Sequence, residues 1–277
     1  MDNLNGKIAL VTGAAAKKSM GRAVAMQLAA DGADVAIIDK FAAPESIWLG
    51  DEGWRGLNQV VDEIRARGRR ALAVVADISV SEDVDRVVAE TLKTFGKIDI
   101  LVNCAGIRGP VPVPIVEMDE KTWRMLLDVN LTGAFLISRA VAKTMIPDGE
   151  GRKIVLISSL AGRQAFPGGA GYCAAKHGVI GLAKTLAAEL APYKINVNAI
   201  NPGAIDTNFR DDAVKEQAKA LGITPAEATK IQPGNPPPRM FARLGTPQEV
   251  ADLVSFLVSD RSTYITGEDI NIAGGTP

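Results

Sequence analysis

The sequence predicts an α/β fold: a doubly wound, seven-stranded parallel sheet with helices on both faces, formed by a single domain over residues 1–277. Three observations predict it. Seven short apolar runs are near-continuous rather than alternating, as strands buried on both faces require. Segments with helical spacing of apolar residues separate them, the pattern of successive strand–helix–strand units. Most runs end in a polar or small residue, at the carboxyl edge where such sheets place their ligands.

Residues 7–12 (KIALVT) form the first run, which stops at Gly13, and residues 22–30 carry the first helical spacing. The run at 35–38 leads into Asp39, that at 71–75 into Asp77 and that at 98–102 into Asn103, each followed by a helical pattern. Residues 154–157 end in Ser158 and Ser159, residues 195–200 in Asn201 and Pro202, and residues 269–272 close the sheet. Two stretches break the rhythm. Residues 40–55, with Pro44, Trp48 and Trp54, read as an irregular insertion before a helix at 57–66. Residues 204–245, centred on QPGNPPPR, read as a lid or a small helical excursion before a helix at 248–258.

Composition narrows the function classes. Hydrophobic residues make up 47% and charged residues 23%, a balance that argues against disorder. A net charge of −1 without long charge runs points to neither nucleic acid nor a membrane surface as partner. The opening residues lack the basic and apolar regions of a secretory leader, and no run of about 18 apolar residues occurs, so a cytoplasmic location is expected. Cys104 and Cys173 lack metal-ligand spacing and read as reduced thiols. With His177 as the single histidine, His-based chemistry and a His-rich metal site are not expected.

The chemistry-bearing stretch is Tyr172-Cys173-Ala174-Ala175-Lys176, which puts a phenol and an ammonium on one helix face. A phenol titrates near pH ~10, but one positive charge about 4 Å away is worth on the order of three pKa units, enough for acid–base work at neutral pH. Alone, the same spacing equally describes a surface tyrosine and a solvated lysine. The small-residue loop from Thr12 to Gly21 suits either a pyrophosphate at a helix N-terminus or plain packing. Asp39, 18 residues after Gly21, suits a ribose diol or a turn cap. Asp77 and the run Asn103 to Gly106 add sites at successive strand ends suited to an adenine edge and a ribose.

Together these residues resemble the short-chain dehydrogenase/reductase family, from Gly6 to Gly275. The matching landmarks are TG…G (Thr12, Gly13, Gly21), DI (Asp77, Ile78), NCAG (Asn103 to Gly106), DVNLTGAF with Asn130 and ISS (Ser158, Ser159). YCAAK, NPGAIDT (Asn201 to Thr207) and ITGEDINIAGG complete the series, and Ser159 precedes Tyr172 by the 13 residues of the family pattern. The resemblance implies a Rossmann-type sheet and an oxidoreductase that moves a hydride between a nicotinamide cofactor and a secondary alcohol or ketone, without a metal. It implies Tyr172 as general acid/base, Ser159 as a hydrogen-bond partner of the substrate oxygen, Lys176 as ribose ligand, and Asn130 as anchor of a proton-relay water. It also implies cofactor contacts from Gly13, Ser19, Met20, Gly21, Asp39, Asp77, Ile78, Asn103, Ala105, Gly106, Tyr172, Lys176, Pro202, Gly203, Ile205 and Thr207, with Thr207 at the carboxamide.

Asp39 would repel a 2′-phosphate, so NAD is expected over NADP, with an NADPH-dependent 3-oxoacyl reductase as rival and a non-catalytic nucleotide-binding scaffold as the reading of another class. The family is commonly tetrameric, and a homotetramer is expected. Three features depart from the family pattern. The glycine loop has two extra residues and Ser19 in place of its middle glycine, so an altered geometry is expected there. Lys17 and Lys18 are of a kind that accompanies NADP use. The insertion at 40–55 lies near the adenosine or covers a neighbouring subunit. Residues 107–111, 160–166 and 204–243 are expected to line the substrate pocket; Phe166 and Phe209 favour an apolar ring or chain. Arg108 and Arg163 read as surface residues or as partners of an acidic substrate.

Overall fold

In the computed structural model, which describes residues 4–43, 53–110, 112–147, 151–224, 227–228 and 240–276, seven parallel strands stand in the order β3-β2-β1-β4-β5-β6-β7. They are β1 (Ile8–Thr12), β2 (Asp34–Asp39), β3 (Ala71–Val75), β4 (Ile100–Asn103), β5 (Arg152–Ile157), β6 (Ile195–Pro202) and β7 (Asp269–Ile272). The helices are α1 (Met20–Ala30), α2 (Leu57–Arg65), α3 (Ser81–Phe95), α4 (Glu120–Leu127), α5 (Gly133–Met145), α6 (Ala170–Leu190), α7 (Asn208–Leu221) and α8 (Pro247–Val258).

Because successive strand side chains face opposite ways, β1 to β6 each feed two cores, whereas the apolar residues of β7 pack on one face alone. Ala9, Val11, Val35 and Ile37 pack with Val24 and Leu28 of α1, Val60 of α2 and Val254 of α8. Leu10, Ala36, Ile38 and Leu101 pack on the other face with Val84 of α3, Ile137 of α5 and Val179 of α6. Every residue of β1 is buried, which explains why its run reads as continuous rather than alternating.

The strand order reverses between β1 and β4, and the two are stapled there. Thr12 Oγ1 donates to Asn103 Oδ1 at 2.6 Å and accepts from Ala105 N at 3.0 Å. At the opposite edge Asp99 accepts from Ile8 N at 2.8 Å and pairs with Lys97 and Arg152. That edge is structural.

Between α4 and α5 the backbone forms one π turn, Asp128–Thr132, in which Gly133 N reaches back five residues to Asp128 O. Together these pieces make a 26-residue helix apolar enough to cross a membrane, but it lies over the sheet with half of its most apolar window buried. Of the two interrupting stretches, residues 44–52, 225–226 and 229–239 lie outside the described residues, as does Val111 in the expected pocket. The near ends of the first stretch come back together, with Leu57 N donating to Ala42 O at 2.8 Å. The second begins as α7, whose first residues lie against the glycine loop.

Candidate active site

The carboxyl ends of β1, β2, β4, β5 and β6 converge on one groove. Gly13 leaves β1 at φ +73°, and a Cβ there would stand 2.9 Å from Ala105 N; a Cβ on Gly21 would overlap the Gly13 carbonyl. Glycine at both positions lets the loop fold tightly between β1 and α1. Ser19 sits at φ −77°, ψ 150° and caps α1, its hydroxyl accepting from Arg22 N at 3.0 Å. The altered geometry expected at this position is resolved in that way: the loop asks Ser19 for an ordinary extended backbone, and the hydroxyl earns its place as a cap. The first turn of α1 holds no acidic residue, and Met20 and Gly21, its first residues, have no carbonyl one turn back to bond.

Asp39 ends β2 and points at this loop. Its Oδ2 accepts from Ala15 N at 2.9 Å. Burial raises its pKa, opposed by the N–H groups of Ala15, Phe41 and Lys40. The other side of the Ala15 peptide is also held: Trp54 Nε1 donates to Ala15 O at 2.7 Å, with the Arg22 guanidinium 5.1 Å from the indole ring. Of the two places the sequence left open for the insertion, its described end therefore lies on the cofactor loop.

Other expected cofactor residues fall into two groups. Asp77 is engaged by Ser79 and, at 2.9 Å, by Lys40; burial raises its pKa, but these partners outweigh it and hold the carboxyl below its usual range. Ile78 packs against Gly133 at the start of α5, and Asn103 and Ala105 belong to the β1–β4 staple. These residues build the groove wall. Pro202 and Gly203 finish β6, where Gly203 N donates to Ile272 O at 3.0 Å, and Ile205 bridges Gly245. Thr207 is buried and starts α7 without capping it through its side chain.

The four expected catalytic residues come together. Ser159 follows β5, Tyr172 and Lys176 lie one turn apart near the start of α6, and Asn130 projects from the π turn. Ser159 hydrogen-bonds the half-buried Tyr172 phenol. The ring of Phe209, from α7, lies 6.4 Å from that of Tyr172. Asn130 is buried and grips Ile107 twice, accepting from its N–H at 3.1 Å and donating to its carbonyl at 2.9 Å, while also donating to Leu126 O. A Cβ on Gly106 would come within 2.7 Å of Asn130 Oδ1 and 3.4 Å of Lys176 Nζ. Only glycine keeps that narrow passage open.

The electrostatics differ from the expectation drawn from spacing alone. Lys176 is buried, its Nζ donating to Ile157 O at 3.0 Å and standing 5.8 Å from the Tyr172 ring centre. Burial pulls the ammonium pKa down to about 8. It also raises the Tyr172 pKa, against the lowering influence of the Ser159 hydrogen bond and the Arg108 charge. The reason is that spacing fixes a shared helix face, whereas the lysine's tip is turned to the β5 backbone and both groups are desolvated. Cys104, near Lys176, has its thiol pushed up to about 12 by burial and stays neutral.

Arg108 thus lies within electrostatic reach of the phenol, whereas Arg163 pairs with Asp269 at 3.0 Å. Sequence reasoning missed the engagement of Lys18 with α7 and of Trp54 with Ala15. No local pattern marks either, because both join segments far apart in the chain.

Comparison with known proteins gives the family. A family model described as Enoyl-(Acyl carrier protein) reductase matches residues 13–276. The chain belongs to the short-chain dehydrogenase/reductase family, and its class is that of oxidoreductases. A 3-oxoacyl-[acyl-carrier-protein] reductase of Synechocystis sp. is 38% identical over 276 residues, covering 99% of this chain and 98% of the relative. Among solved structures, NAD+-bound xylitol dehydrogenase is 33% identical with a TM-score of 0.83, covering 98% of this chain and 99% of that one. Carveol dehydrogenase from Mycobacterium avium in complex with NAD is 30% identical with a TM-score of 0.84, covering 100% and 99%.

The groove fits a dinucleotide. It offers a helix start free of acidic side chains, glycines where the walls approach, and a carboxylate at the end of β2.

Proposed function

We propose that the chain is an NAD-dependent oxidoreductase that interconverts a secondary alcohol and a ketone. The observation that carries this reading is the hydrogen-bonded Ser159–Tyr172 pair beside buried Lys176, in a groove whose far end is marked by Asp39. The first turn of α1 receives the pyrophosphate, Asp39 the adenosine ribose, Lys176 the nicotinamide ribose and Thr207 the carboxamide. The dinucleotide, when bound, accepts or supplies the hydride. Tyr172 gives a proton to the ketone oxygen or takes one from the alcohol. Ser159 donates a hydrogen bond to that oxygen and stabilises its developing charge. Asn130 holds Ile107 and Leu126 and anchors the water that returns protons to Lys176. Phe209 and Phe166 favour a substrate with an apolar ring or chain, and Arg108 favours electron-rich oxygen near the phenol. A cytoplasmic location and a homotetramer complete the proposal; the exposed Met125 of α4 and Phe135 of α5 favour association, and light scattering should return the mass of four chains.

Specificity for NAD rests on Asp39. Hydrogen bonds to a charged group are worth about 1.5–3 kcal/mol, so Asp39→Ala should weaken NADH binding by roughly 10- to 100-fold and narrow the preference over NADPH. Fluorescence titration of both cofactors, with an absorbance screen of alcohols, tests this. The cyanobacterial relative's name favours a second reading, an NADPH-dependent 3-oxoacyl reductase. Tighter NADPH binding, insensitive to Asp39, would select it.

A further inference from the structure

Lys18 is one of the loop residues that depart from the family pattern, and its contacts are to the segment that begins α7. Its backbone N–H donates to Asn208 Oδ1 at 2.7 Å, across 190 positions of sequence, and Asn208 is buried. Its ammonium pairs with Asp206 at 2.9 Å and Asp211 at 3.2 Å. These partners interleave with two residues of the site: Thr207 lies between Asp206 and Asn208, and Phe209 follows Asn208 with its ring near Tyr172. One residue of the glycine loop therefore grips the start of α7 at three points.

We infer that Lys18 is a positioning residue that docks the Asp206–Asp211 segment on the cofactor loop, so that cofactor binding and the placement of Thr207 and Phe209 are coupled. An isolated exposed ion pair contributes little. Here two carboxylates share one ammonium whose backbone is already fixed by a buried amide, so little further ordering is needed. Coupling of this kind is reciprocal: whatever holds the loop in place steadies the segment, and the segment steadies the loop. The second half of this inference rests on the dinucleotide reading of the groove.

The test compares the wild-type chain with Lys18→Met and Lys18→Arg by hydrogen exchange of peptides spanning residues 205–222. Without cofactor, Lys18→Met should speed exchange of the segment about fivefold, given two exposed pairs of modest strength. Lys18→Arg should restore protection. Raising salt should speed exchange in the wild type and leave Lys18→Met unchanged, with peptides of β1 and α1 alike in all three proteins. With NADH added, the wild-type segment should slow further and the Lys18→Met segment much less. Unchanged exchange in Lys18→Met, equal loosening of α1, or undiminished protection by NADH in that variant overturns the inference. Should NADH fail to bind the wild type, the cofactor reading fails, while the cofactor-free comparison still decides the docking.

Discussion

Tyr172→Phe should leave NADH binding close to that of the parent and lower turnover by about a thousandfold, the middle of the range that a positioned acid/base contributes. The substitution removes one oxygen from a half-buried ring already packed near Phe209, so the loss falls on proton transfer rather than on folding. Burial raises the phenol pKa, which gives the two reaction directions opposite pH behaviour. Ketone reduction needs the protonated phenol and should hold its rate through neutral pH. Alcohol oxidation needs the phenolate and should gain about tenfold per pH unit below that raised pKa. Stopped-flow traces of the reduced nicotinamide's absorbance with the best alcohol from the screen read both effects. Near-normal turnover in Tyr172→Phe rules out the mechanism.

Lys176→Met should act in two opposed ways. Turnover should drop by at least about a hundredfold as the ammonium near the phenol is lost. Stability at neutral pH should rise. A folded pKa of about 8 against an unfolded value of 10.5 means that the charged lysine is less at ease inside the protein than in the unfolded chain. The difference corresponds to about 3 kcal/mol at pH 7, offset in the variant by about 1–2 kcal/mol for an Ile157 carbonyl without its donor. The sign with pH follows from proton counts. Between about pH 8 and 10.5 the folded lysine has lost its proton and the unfolded one retains it, so this group's contribution makes wild-type stability rise with pH there. Melting curves across that window should show the two proteins converging. A variant that melts lower than its parent at pH 7 would contradict the account.

These effects bear on how much the sequence discloses. The central strands were legible because they are buried on both faces and read as apolar runs, as Ile8–Thr12 does; the edge strand Asp269–Ile272 is only partly buried and alternates polar with apolar residues, yet it too stands where its run placed it. That Gly13 and Ser159 would meet at one edge was legible because parallel topology carries the strands' carboxyl ends there, and that Tyr172 and Lys176 would share a face was legible from their spacing of one helical turn. The state of protonation was not, since the direction of the lysine's tip is set by the Ile157 carbonyl, a backbone atom with no sequence signature. The joins made by Lys18 and Trp54 were equally hidden, being contacts across 188 and 39 positions respectively.

The π turn at Asp128–Thr132 has a consequence for how this site is inherited. One residue more than an α turn is lodged there, which rotates everything beyond it by about 100° relative to what precedes. A single-codon deletion would heal the helix, restoring an ordinary ladder from α4 into α5, and would swing Asn130 off Ile107 in the same step. Such a deletion would trade a smoother helix for the loss of the clasp that Asn130 makes on Ile107 and Leu126.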